Sequence, residues 1–166
     1  MTKHITRYFG EINLDKLEEW YETEIDLNGK TVEISITVST AAKNIDKESI
    51  ETIENYVDDL KNNEDNIQLV IHRDFKEMGE TKEYIDNQIE LQDKEDIANL
   101  IENADKKLSK KEKLLSALIL LRIVFYPEKE DKMFAVFDYT IDEELTDDLL
   151  AVKLYKDSSV TIDIES

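Results

Sequence analysis

Asn28-Gly29 sits between two runs of alternating polar and apolar residues, "EWYETEIDL" before it and "KTVEISITV" after it. A two-residue link between antiparallel strands needs positive φ at both positions, and Asn followed by Gly is the pair that accepts this most readily. The pattern therefore predicts a β-hairpin. Tyr21, Thr23 and Ile25 alternate on one side of the first arm, and Val32, Ile34, Ile36 and Val38 answer from the second. Glu22, Glu24, Asp26, Glu33 and Ser35 then fall on the opposite face, which should be wet and acidic. The preceding "YFGEINL" also reads as a strand.

From about Asp46 to Leu121 the period changes from two to that of a helix. Asp46 is a good N-cap, and Ile45 and Ile50 have the spacing of a hydrophobic staple around it. Ile50, Ile53, Val57 and Leu60 follow on one helical face. A second helix carries Ile67, Val70, Ile71, Phe75 and Met78, with Gly79 placed to end it. Tyr84, Ile85 and Ile89 mark a third, and Ile97, Leu100, Ile101 and Ala104 a fourth. Ser109 with Glu112 forms a capping box that opens a fifth through Leu114, Leu115, Leu118 and Leu121. His4 is expected in a mobile terminus.

Beyond that helix the residues become β-branched and aromatic. "RIVFY" reads as a strand closed by Pro127, followed by "KMFAVFDYTI", "LLAVKLY" and "VTIDI". The links are too short for crossovers, so these strands should form an antiparallel meander. The expected fold is α+β: an N-terminal β-hairpin, a central segment of about four to five helices, and a C-terminal antiparallel meander of three to four strands, with the helices packed on one face of the sheet. No repeat and no Gly-, Pro- or Ser-rich linker divides the chain, so residues 1–166 are read as a single domain.

Few routes to bond-breaking chemistry are open. The chain has no cysteine, which removes disulfides, thiolate metal sites and cysteine nucleophiles. The two histidines, His4 and His72, are not accompanied by a serine-nucleophile elbow. Gly10, Gly29 and Gly79 are isolated, so no glycine-rich loop cradles a phosphate. No acidic calcium loop appears, and the clusters Asp58-Asp59, Asp142-Glu143-Glu144 and Asp147-Asp148 read as solvated faces. The expectation is a non-catalytic protein with no cofactor and no metal. The start, Met1-Thr2-Lys3-His4-Ile5, lacks the basic and apolar stretches of a signal peptide. The most apolar run, Leu114 to Tyr126, falls short of the roughly 20 residues that a membrane span needs. A cytoplasmic chain is expected.

Charge is the strongest remaining clue. Forty acidic residues against 21 basic ones give a net charge of −19. Such a charge opposes nucleic acid and anionic lipid and suits a basic protein partner. Two acidic surfaces are candidates for contact: Glu22, Glu24 and Asp26 on the hairpin, and Asp142, Glu143, Glu144, Asp147 and Asp148 between the last strands.

The opening "YFGEINLDKLEEWYETEIDLNGKTVEISI" and the closing "RIVFYPEKEDKMFAVFDYTIDEELTDDLLAVKLYKDSSVTIDIES" resemble the bacterial family catalogued as domain of unknown function 2004. "FGEI", "YP" followed by acids, and "FDY…LTD.LL" carry the likeness. The resemblance implies a small bacterial cytosolic protein and supplies no catalytic residues. Charge, size and resemblance together favour an acidic binding protein, most concretely an immunity-type inhibitor that covers a cationic toxin such as a nuclease. Two alternatives stand beside it. One is a structural or housekeeping interaction protein that forms homo-oligomers through a strand edge. The other is a carboxylate-dependent hydrolase, which no motif supports.

Overall fold

The computed structural model describes residues 3–39 and 45–166. Its elements are β1 (Lys3–Ile5), β2 (Glu11–Asn13), β3 (Trp20–Leu27), β4 (Lys30–Thr37), α1 (Lys47–Asp58), α2 (Leu60–Lys76), α3 (Glu80–Leu91), α4 (Lys94–Ile101), α5 (Lys110–Ser116), β5 (Ile119–Phe125), β6 (Met133–Thr140), β7 (Leu149–Tyr155) and β8 (Val160–Glu165). The last six strands form one sheet in the order β3-β4-β5-β6-β7-β8, and β1 and β2 form a separate two-stranded arm. The class is α+β, with hairpin, central helices and antiparallel meander in the expected places.

The hairpin turns as the sequence requires: Asn28 has φ 55° and Gly29 φ 82°. One join was not foreseen. β4 pairs with β5 in parallel, with Glu33 opposite Arg122 and Ile36 opposite Phe125, so the hairpin and the meander share a single sheet. A parallel pair needs a long crossover, and the five helices supply it.

The helices cover one face only. A cross-strand row of Ile34, Ile123, Phe137 and Val152 is fully buried beneath Ile50 and Ile53 of α1, Ile67 and Ile71 of α2, and Tyr84 and Ile85 of α3. Each such side chain contributes about 1.5–3 kcal/mol through removal from water. The β1–β2 arm lies on the same side. His4 and the Arg7 amide bond to Glu54, and Tyr8 Oη donates to Asp58 Oδ1 at 2.6 Å.

Four local expectations are corrected. His4 is in β1, opposite Ile12, and is tied to α1 rather than mobile. The capping box at Ser109 forms, yet its helix stops at Ser116, and Leu121 lies at a register shift in β5. The α4 helix ends at Ile101, short of Ala104. At the end of α2 the left-handed residue is Met78, with φ 61°, while Gly79 caps the start of α3. Gly79 leaves room for a neighbour: a Cβ there would lie 2.1 Å from Asp74 Oδ1, so the Asp74 carboxylate would have to shift.

Candidate functional site

Because helices and arm occupy one side, the other face of the six-stranded sheet is left without a covering layer among the described residues. The ladder registers arrange its side chains in rows. One runs Glu22, Ser35, Val124, Val136, Lys153, Thr161; the next runs Glu24, Glu33, Arg122, Asp138, Ala151, Asp163. Trp20 stands at one end of β3, 43% exposed, and donates Nε1–H to Glu22 Oε2 at 3.0 Å. Trp20 and Arg122 are of residue types enriched at protein interfaces, but the acids around them are of types depleted there, so any partner must meet their charge.

The charges on this face are unevenly compensated. Arg122 Nε donates to Asp138 Oδ2 at 2.7 Å. Lys153 Nζ lies 3.0 Å from Asp163 Oδ2 and 3.2 Å from Glu165 Oε1. Both cations of the central strands are therefore engaged. Glu22, Glu24, Asp26 and Glu33 have no ion pair among the described residues, and Glu24 stands directly opposite Glu33. Like charges in that position are destabilising.

Burial shifts two groups here. Asp138 is buried with Oδ1 unpartnered, and desolvation raises its carboxyl above the ordinary range while Arg122 holds it back. Tyr126 is pushed up by burial, and Asp131, Asp138 and Glu165 add to the effect.

The second predicted surface, the β6–β7 connection, divides in two. Asp148 is a structural residue as well as an acid: Gln88 Nε2 donates to its Oδ2 at 3.1 Å, Ser166 Oγ to its Oδ1 at 3.1 Å, and Tyr84 Oη to its carbonyl at 3.0 Å. Asp142 Oδ1 accepts the Glu144 amide at 2.8 Å, and the Asp142 carbonyl accepts those of Leu145 and Thr146. Glu143, Glu144 and Asp147 are left exposed. Both predicted surfaces lie towards the same end of the sheet, since the Asn28-Gly29 turn and the β6–β7 connection close strands at that end. Three to four strand spacings, about 14–19 Å, separate them.

A separate concavity of about 470 Å³ opens between α1 and the far end of the sheet, floored by Tyr56, Phe134, Leu154 and Tyr155. Its rings pack edge to face, with Tyr56 and Phe134 centroids 5.2 Å apart, and burial raises the Tyr56 phenol well above its usual range. The lysines at its rim are tied: Lys129 Nζ to Asp46 Oδ2 at 2.6 Å, and Lys156 Nζ to the Glu128 carbonyl. No group of three His, Cys, Asp or Glu side chains among the described residues is placed to hold a metal ion. No described helix is long and apolar enough to cross a membrane.

Sequence reasoning placed Glu22, Glu24 and Asp26 on an exposed face but did not extend that face to Arg122, Asp138, Lys153, Asp163 and Glu165. The signal was present: in "RIVFY" and "MFAVFDY", Arg122 and Asp138 alternate with the core residues Ile123 and Phe137. No protein-family model matches the chain, no curated protein matches it, and no solved structure matches it.

Proposed function

We propose that this is an acidic binding protein that docks a basic protein on the uncovered face of its sheet. The observation that carries the reading is the Glu24–Glu33 opposition beside Glu22 and Asp26, four carboxylates with no ion pair among the described residues, since Arg122, the neighbour of Glu33 across β5, is engaged by Asp138. A partner presenting lysines or arginines would relieve that repulsion as it binds. The net charge of −19 would steer such a partner, with association about 10- to 1,000-fold faster than for a neutral pair.

The finer reading is an immunity-type inhibitor acting in the cytoplasm on a cationic toxin such as a nuclease. Rapid capture suits that role, since a toxin must be covered before it acts. The test is affinity capture from lysate of the parent cell at about 50 and 200 mM salt. The reading expects one basic protein that is retained at low salt and released at high salt. Partners that are acidic, or retention indifferent to salt, would contradict it.

A further inference from the structure

The chain buries two glutamates in its helical layer and treats them differently. Glu54, 1% exposed, has a cation within the chain, Arg7, whose Nε lies 3.8 Å from Oε2; the Arg7 amide donates to Oε2 at 2.5 Å, and His4 Nε2 lies 3.2 Å from Oε1. Glu64 on α2, 7% exposed, has none. Its two hydrogen bonds come from neutral donors, Tyr139 Oη and Gln68 Nε2, each at 2.8 Å, and both end on Oε1. Burial and the Glu64 charge raise the Tyr139 phenol well above its usual range, so it remains protonated and donates.

Oε2 has no partner and is not among the fully enclosed polar atoms, and Glu64 lines a cavity of about 170 Å³. That is smaller than the roughly 300 Å³ at which drug-sized ligand sites begin, so the space fits a group of side-chain size. Its walls include Leu27, Val32, Leu118 and Leu120, with Lys30 at the exposed rim. Lys30 lines the same cavity but makes no ion pair with Glu64 among the described residues. A buried carboxylate without a counter-ion is costly, and a cation entering the cavity would offset that cost.

We infer that Glu64 is the floor of a binding site for a primary alkylammonium group, its free oxygen taking the ammonium and the leucine-lined walls taking the methylene stem. The site stands independently of docking on the open sheet face. The ammonium is either a lysine side chain of a protein partner or a free small amine; the chemistry is the same.

The test is a two-dimensional amide NMR titration of the whole chain with n-butylammonium chloride, at matched ionic strength, against n-butanol. Saturable shifts are expected at the Gln68 side-chain amide and at Leu118–Leu120, with n-butanol binding about tenfold more weakly or worse. Glu64→Gln, which keeps an acceptor for Tyr139 and Gln68, should lose about tenfold in butylammonium affinity. Lys30→Glu, a rim change that does not touch the buried network, should tighten butylammonium severalfold and leave n-butanol unchanged. Shifts that do not saturate, equal response to the alcohol, or an affinity indifferent to Lys30→Glu would overturn the site. A short peptide with one lysine, compared with its acetyl-lysine form, distinguishes the sources: binding of the former identifies a protein lysine, and binding of butylammonium alone identifies a free amine.

Discussion

Arg122 holds Asp138 across the β5–β6 ladder: the guanidinium Nε donates to Oδ2 at 2.7 Å, while the other carboxylate oxygen is enclosed without a partner. The arginine is half exposed and the aspartate buried, so the pair is a surface cation pinning a desolvated anion.

Arg122→Ala should therefore destabilise by about 1–2 kcal/mol near neutral pH, a figure discounted for the solvent exposure of the arginine. The cost should shrink in acid. Asp138 has a raised folded pKa, so its neutral form is favoured on folding. Stability from this group is fully present below the ordinary carboxylate range and is lost as pH rises through the raised folded value. Urea unfolding of both proteins at about pH 7 and pH 4 checks this, and equal losses at the two pH values would contradict it.

Glu54→Ala should release the β1–β2 arm from α1. It removes the acceptor of His4 and of the Arg7 amide, and a loss of about 2–3 kcal/mol follows from leaving those groups unpaired. Limited proteolysis at Arg7 should become faster than cleavage in the helices. Cleavage that stays uniform would mean the arm is held by Ile12 packing alone.

Gly79→Ala tests a close approach rather than a backbone angle. The added methyl meets Asp74, whose Oδ2 is fixed by the Thr81 amide at 2.8 Å, so about 1–3 kcal/mol should be lost. In an Asp74→Ala background the same change should cost little, and the double-mutant cycle reads the difference. A cost that persists there would place the strain elsewhere.

Asp46 pairs with Lys129 and caps α1 through the Ser49 amide, and the lysine first and the amide second lower its pKa to about 2. A depressed folded pKa gives stability that is present above the ordinary carboxylate value and lost as pH falls through the folded one. Amide exchange in the first turn of α1 should accelerate as pH is lowered from about 4 towards 2, after correction for intrinsic exchange. In Asp46→Ala that turn should already exchange fast at the upper pH. An unprotected first turn in the parent protein at both pH values would contradict the capping role.

Much of this architecture is legible in the residues. A two-residue turn at Asn28-Gly29 dictates that Leu27 faces Lys30, and counting outward places Glu24 opposite Glu33. The uncompensated acid pair follows from the chain itself. The parallel join of β4 to β5 does not, because pairing between strands some 80 residues apart in the chain leaves no local mark. Register shifts beside Leu121 and Phe134 are equally silent, although the second accompanies the packing of Phe134 on Tyr56. Glu64 reads as one more solvated helix acid, since nothing near it in sequence announces Tyr139.

The account stands most directly on the affinity between the captured basic protein and this chain, measured by calorimetry for the parent and for a variant with Glu22, Glu24 and Asp26 each changed to lysine. The sheet-face reading predicts a loss of about 100-fold or more, against a smaller loss when Glu143, Glu144 and Asp147 are reversed instead. An affinity unchanged by reversal at both surfaces would contradict it.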